Sequence, residues 1–262
     1  MILYFSGTGN SALVARHLSS LLGEKVYRID AVGFETPPGV GADDKVIWVF
    51  PVHSWGLPKA VKRYIEAVEI PGAELARHFL VATCGDDCGL TAGMWRRALR
   101  RRGWKGVAAH SVVMPNTYVT LPGFDVDKPE VAQSKLSAMP RRVGEIAHAI
   151  KCSSPIDTIF QGKMPWVKTR ILYPLFMRML TSPKPFESNH CVRCGKCVEV
   201  CPLANVTMSD DDGPQWGDRC TLCLGCYHVC PVHAVDYGRS TRRKGQWQGA
   251  LKACLQGSQA KR

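Results

Sequence analysis

The sequence predicts an α/β protein: a five-stranded, parallel, doubly wound sheet followed by a small α+β module. Three observations predict it. Short apolar runs alternate with segments of 3.6-residue apolar period over residues 1–151, the pattern of strands and covering helices. The first run ends in a glycine-rich turn that opens into a helical pattern. Eight of the twelve cysteines lie between Cys191 and Cys230, in two runs of identical spacing.

The elements follow in order. Residues 1–6 are apolar and read as a buried parallel strand. Leu13, Val14, His17, Leu18 and Leu21 then mark one face of a helix. Strands are expected at Lys25–Ile29, Lys45–Val52, His78–Thr83 and Val107–Met114, with helices over Leu57–Val68, Ala92–Arg102 and Lys128–Ile150. Residues 1–151 would form this domain, and residues 152–186 a Pro-rich connection whose run Trp166–Leu180 reads as a helix bent at Pro174 and packed on both domains. Residues 187–238 form the cysteine-rich module and residues 239–262 a basic, solvated tail.

The turn after the first strand is Ser6-Gly7-Thr8-Gly9-Asn10-Ser11. Its glycines let the backbone approach a phosphate, and backbone N–H groups with short hydroxyl and amide side chains supply donors. It contains no lysine, so it is not an ATP-type loop, and it is not G-x-G-x-x-G. Donors without a cation suit a single phosphomonoester; the plainer reading is a glycine turn with a helix cap. Two more loops leave the same edge of the predicted sheet, where ligands of such sheets bind. Pro51-Val52-His53-Ser54-Trp55-Gly56 presents an aromatic face at Trp55, which could equally close the following helix. The second is Thr83-Cys84-Gly85-Asp86. Cys84 and Cys88 read as ordinary loop residues, with a redox disulfide as the alternative.

Each cysteine run is C-x2-C-x2-C-x3-C-P, and the second repeats the first at an offset of 29 residues. This is the spacing of bacterial two-cluster iron–sulfur proteins, in which the fourth cysteine of each run ligates the other cluster. The rule assigns Cys191, Cys194, Cys197 and Cys230 to one [4Fe–4S] cluster, and Cys201, Cys220, Cys223 and Cys226 to a second. Zinc needs only four ligands and would not call for the third x2 cysteine and the x3-C-P ending, twice. Disulfides would need an exported chain. The N-terminal MILYFSGTGN has no basic n-region and does not read as a signal peptide. A reducing cytoplasm is therefore expected. His190, beside the first ligand, reads as a surface residue.

These stretches carry a resemblance. Residues 187–238 resemble bacterial 2[4Fe–4S] ferredoxins, and the Ser6–Ser11 turn resembles the loop that holds the phosphate of FMN in flavodoxins. FSGTGNS, FPVHSWGLPK, ATCGDD, VMPNTY and the two cysteine runs occur in the order found in flavodoxin–ferredoxin fusion proteins. The resemblance implies a flavodoxin-like domain holding FMN through Ser6, Gly7, Thr8, Gly9, Asn10, Ser11, Pro51, Val52, His53, Trp55, Gly56, Thr83, Cys84, Gly85 and Asp86. It also implies that Tyr118 covers the cofactor or packs nearby.

The formal net charge is +12, with residues 238–262 contributing +7 and residues 189–237 contributing −3. An acidic redox module beside a basic body suits redox partner proteins of acidic character. No nucleic-acid recognition module accompanies the charge. No apolar run is long enough to span a bilayer; peripheral contact through the connection or the tail is the alternative. The expected function is electron transfer between two [4Fe–4S] clusters, FMN and partner proteins. An FMN-dependent reductase of a quinone or another small acceptor is the alternative.

Overall fold

The computed structural model describes residues 1–29, 37–121, 123–180, 186–188, 190–209 and 212–249. Five parallel strands form the first sheet: β1 (Ile2–Tyr4), β2 (Val26–Arg28), β3 (Lys45–Pro51), β4 (Arg77–Cys84) and β5 (Lys105–Val113). Their order is β2-β1-β3-β4-β5, so the sheet is flavodoxin-like and reverses direction between β1 and β3. The expected strand ends differ from the observed ones by a few residues, as terminal pairings do.

Burial on both faces explains the near-continuous apolar strands. Val46, Trp48 and Phe50 of β3, with Leu80 and Ala82 of β4, enter one core. Ile47 and Val49, with Phe79 and Val81, enter the other. This is the period of two, since alternate side chains point to opposite faces. Helices α2 (Lys59–Ala67) and α3 (Thr91–Arg100) cover the first face; α1 (Asn10–Leu22) and α4 (Pro129–Lys151) cover the second.

His78 is fixed inside the first core. The Trp48 indole N–H donates to its Nδ1 at 3.1 Å, and its Nε2 lies 2.8 Å from the Ala73 carbonyl. The ring is therefore neutral with its proton on Nε2, and burial holds its pKa below the usual value. Burial likewise lowers His110 to about 4. In the unfolded chain both titrate near 6.5, so the unfolded state takes up protons first as pH falls. Stability is full above that value and falls as pH drops from about 6.5 toward 4. The thermal midpoint followed by circular dichroism should decline over this window, and less steeply in His78→Gln; a flat midpoint down to pH 5 would contradict this.

The connection does not hang free. Asp157 accepts from Ala109 N at 2.9 Å and pairs with Arg96, and Phe160 N donates to Ser111 Oγ at 2.9 Å. The expected bent helix is α5 (Pro165–Val167), a π-helical turn over Lys168–Leu172, and α6 (Tyr173–Leu180). Pro174 explains the wide turn. It cannot donate to the carbonyl four residues back, and its ring crowds that carbonyl. The preceding Tyr173 N–H reaches five residues back, to Lys168 O.

The cysteine-rich module contains α7 (Lys196–Val200) and α8 (Gly225–Val229). Two antiparallel ribbons complete it: β6 (Phe186–Ser188) with β9 (Val235–Tyr237), and β7 (Val206–Ser209) with β8 (Gly213–Trp216). The sequence repeat is also a backbone repeat. Arg193 and Leu222, Gly195 and Leu224, and Ala204 and His233 are pairs 29 residues apart, all with φ between 44° and 74°.

The expected solvated tail is corrected over its first part. Residues 241–247 lie across the module. Lys244 Nζ donates to Leu121 O and Phe124 O, and Gln246 Nε2 to Cys230 O at 3.0 Å. The Tyr227 hydroxyl has one proton, and its nearest acceptor is Lys244 O at 2.8 Å. Composition suggested solvation because the segment is basic; backbone acceptors at the junction absorb Lys244 instead. Residues 250–262, with Cys254, are outside the described region.

Candidate redox site between the sheet and the cysteine module

The carboxyl ends of β1, β3, β4 and β5 open on a cavity of about 400 Å³. Of the predicted cofactor residues, Gly7, Thr8, Pro51, Val52, His53, Trp55, Cys84, Gly85 and Asp86 line it. Ser6, Gly9, Asn10, Ser11, Gly56 and Thr83 do not line it and instead build the loops. Ser6 Oγ accepts from Gly9 N at 3.1 Å, Asn10 Nδ2 donates to Pro115 O at 2.8 Å, and Ser11 Oγ lies 2.7 Å from Thr83 Oγ1. Asn10 Oδ1 is buried with no protein partner. Gly9 caps α1 in the left-handed region at φ 91°, which a glycine adopts without strain.

The loop after β3 is a tight turn. His53 and Gly56 exchange backbone hydrogen bonds of 3.1 and 3.0 Å, which puts Ser54 at φ 50° and Trp55 at φ 62°. Two non-glycine residues in this region cost free energy that the surrounding contacts must supply. Lys168 Nζ lies 5.4 Å from the centroid of the Trp55 ring and 2.5 Å from Asp87 Oδ2. One side of the indole thus carries a cation, and a flat ligand would meet the ring only on its remaining surface. Burial in the cleft lowers His53 to about 4, so it is neutral at pH 7. Cys84 and Cys88 are free thiols. A hydrogen bond that the Cys88 thiol makes to Cys84, together with burial, pushes Cys88 far above the usual thiol range, so it is no nucleophile.

Three further walls close the cavity, and the individual residues that form them were not foreseen. Lys168, Phe176 and Met177 come from the connection, Leu121 and Phe124 from the loop after β5, and Thr221, Leu222, Cys223 and Leu224 from the cysteine module. Tyr118 packs 5.8 Å from the Phe176 ring. Asp87 and Lys168 hold this wall as an ion pair with little exposure. Asp87→Asn would leave the lysine charge uncompensated and should lower stability by about 2 kcal/mol, read as a lower thermal midpoint that Lys168→Met partly restores in the double variant.

The eight cysteines fall into two sets. Cys201, Cys220, Cys223 and Cys226 surround one small cavity, and Cys191, Cys194, Cys197 and Cys230 another. Among the described residues no three His, Cys, Asp or Glu side chains converge on a single-ion centre; the thiols ring a space instead. Matching backbone donors point at matching sulfurs. Arg193 N and Leu222 N donate to Cys191 and Cys220 at 3.3 and 3.4 Å; Asn205 N and Ala234 N donate to Cys201 and Cys230 at 3.3 and 3.1 Å. Burial raises the Cys223 thiol to about 12 and lifts Cys226 well above its usual value. Such thiols ionise at neutral pH only when a metal compensates the charge, so metal loading releases protons. His190 is exposed, as expected.

The two halves meet at glycines. A Cβ on Gly7 would overlap Cys223 Cβ and lie 2.8 Å from its Sγ; one on Gly225 would lie 2.6 Å from Gly7 O. On the far side, His228 joins module, sheet domain and strap. Its Nε2 lies 2.8 Å from Thr117 O and its Nδ1 accepts from Trp247 N at 3.0 Å.

The family of 4Fe-4S binding domains matches residues 185–204, which marks the first cysteine run as a [4Fe–4S]-binding segment. No curated protein matches the chain. Solved structures similar to it include the Streptococcus pneumonia TIGR4 flavodoxin, at 14% identity and TM-score 0.36 over 58% of this chain and 96% of that one. The azoreductase of Bacillus anthracis str. Sterne has 14% identity and TM-score 0.36 over 56% and 97%. The NAD(P)H:quinone oxidoreductase of Methanothermobacter marburgensis has 13% identity and TM-score 0.36 over 56% and 96%. The strand order, not these scores, establishes the fold.

Proposed function

We propose that the chain is an electron-transfer iron–sulfur flavoprotein with FMN in the central cavity and two [4Fe–4S] clusters, one in each cysteine set. The observation that carries this reading is the shared wall: Gly7 and Thr8 of the sheet domain line the same cavity as Leu222, Cys223 and Leu224. The cavity volume is in the range of small-ligand sites, its lining mixes aromatic faces with polar groups, and Gly7 keeps the loop flat against the module. The second cluster is supported by the 29-residue repeat of φ values and N–H···S bonds.

When bound, FMN supplies a centre that accepts one or two electrons, whereas each cluster passes one at a time. The chain's own residues divide the remaining tasks. Trp55, Tyr118 and Phe176 restrict water at the cavity, and the loops after β1, β3 and β4 orient the cofactor. Cys201, Cys220, Cys223 and Cys226 would hold the cluster beside the cavity. Cys191, Cys194, Cys197 and Cys230 would hold the outer one, and Cys194 is exposed, which would offer partner proteins an entry point. Electrons would then pass in the order cavity, cavity-side set, outer set, surface. Acidic redox proteins are the expected partners of the basic body, in the cytoplasm.

Iron and flavin content of anaerobically purified protein tests the reading. About eight irons and one FMN per chain are expected. Zinc, or four irons, would overturn the two-cluster part; eight irons without FMN would leave a ferredoxin attached to an unused sheet domain. Fast turnover of quinones with none of protein acceptors would favour the small-acceptor reductase, with His53 the cavity group to examine.

A further inference from the structure

We propose that the outward face of the connection, from Phe160 to Arg178, docks on an anionic lipid bilayer. The segment's inward face is fully engaged. Thr169 Oγ1 donates to Trp55 O at 2.8 Å and accepts from Leu90 N at 2.8 Å, and Tyr173 OH donates to Leu57 O at 2.7 Å. Phe176 is buried against Tyr118. These anchors are spaced as one face of a helix, so the opposite face is held outward.

Most of the exposed side chains of this segment are apolar. Opposite the anchors, Ile171 and Leu175 are 51% and 55% exposed, and at the segment's start Phe160, Met164 and Trp166 are 60%, 66% and 60% exposed. Among the described residues, seven of the fourteen exposed large apolar side chains lie within residues 156–175. Scattered surface residues would not concentrate so, and such patches mark interaction sites.

Charge selects the occupant. No aspartate or glutamate occurs between Asp157 and Glu187, while Lys163, Arg170 and Arg178 are exposed on the segment. Exposed aromatic and aliphatic side chains interspersed with cations, in a stretch without acidic residues, are the pattern of helices lying in the plane of a membrane interface. Residues 165–180 extend about 24 Å as a helix, less than a bilayer core, and among the described residues no helix is long and apolar enough to cross one. The segment would lie on the surface. Lys168, Phe176 and Met177 of the same segment line the cavity, so docking would bring one cavity wall to the membrane. The proposal does not depend on what fills that cavity.

Holoprotein is floated with phosphatidylglycerol/phosphatidylcholine vesicles and with phosphatidylcholine vesicles alone. Binding is expected to the anionic vesicles, falling with salt. Trp166→Ser/Leu175→Ser should weaken partition at least about tenfold. Arg170→Glu/Arg178→Glu should weaken it further and remove the salt dependence. A chain ending at residue 249 should bind as the full chain does. All four altered side chains are exposed, and an unchanged visible spectrum and circular dichroism certify the fold. No binding, equal binding to neutral vesicles, binding unchanged in both double variants, or binding lost with residues 250–262 would overturn the proposal. So would a concentration-dependent dimer that Trp166→Ser/Leu175→Ser abolishes while vesicles stay unbound, since the face would then serve a second copy.

Discussion

Gly7→Ala is expected to separate the two halves of the protein at their redox junction. The added methyl has no free direction: it overlaps Cys223 Cβ and lies 2.8 Å from Sγ and 3.0 Å from the Cys223 carbonyl. Two of these three atoms are a sulfur proposed to be fixed on a cluster and a backbone oxygen, neither of which yields like a flexible side-chain end. Overpacking of this kind costs about 1–3 kcal/mol in an ordinary core. Here the strain falls on a proposed ligand and on the loop that would meet a phosphate. Bound flavin should fall well below one per chain and iron from about eight toward about four, while the outer site keeps its iron. Gly225→Ala approaches the same contact from the module, through Gly7 O at 2.6 Å, and should give the same phenotype. Gly144→Ala is the control. Its methyl would meet nothing within 4 Å, and it lies inside α4, where alanine is favoured by about 1 kcal/mol. Full flavin and iron in Gly7→Ala would show that the junction tolerates separation.

How far the sequence reached depends on the kind of information each residue carries. Strands β3 and β4 were legible because burial on both faces leaves their middles, residues 46–50 and 79–82, wholly apolar. The cysteine sets were legible because a repeated covalent spacing has few chemical uses. The polar loop was legible in part. Asn10 and Ser11 are donors on paper, but folding engages them with Pro115 and Thr83, and partners so far away in sequence leave no local signal. Packing of the connection on both domains was expected, but which of its residues face the cavity was not legible, for the same reason. The spacing of Thr169, Tyr173 and Phe176 announces a buried face without saying what it is buried against. The strap of residues 241–247 looked solvated because composition counts lysines and does not see carbonyls waiting at Leu121 and Phe124. The internal repeat concealed one more fact. Two runs of equal spacing cannot reveal which one faces the sheet; the contact between Gly7 and Gly225 does.

That contact makes the two cysteine sets unequal, and a pair of substitutions should expose the difference. Cys226→Ser removes a ligand from the proposed cavity-side cluster, and Cys194→Ser one from the outer cluster. Each should lower iron from about eight to about four per chain, because a serine oxygen is a poor substitute for the thiolate that iron–sulfur clusters select. Their kinetic consequences should then diverge. In Cys194→Ser the cavity-side cluster still adjoins the cavity, so the iron–sulfur and flavin absorbance bands should bleach together under a small reductant. Bleaching by a protein donor should slow by an order of magnitude or more, because the exposed entry at Cys194 is lost. In Cys226→Ser the outer cluster remains open to a protein donor and should bleach at its usual rate. The flavin band should lag behind it, since the intervening centre is gone. Cys226 is buried and Cys194 exposed, so Cys226→Ser also carries the larger stability cost; equal circular dichroism at the assay temperature is the condition for comparison. If the two variants showed the same order of bleaching, the cavity-side and outer sites would be equivalent in electron flow, and the relay order drawn from the Gly7–Cys223 contact would fall.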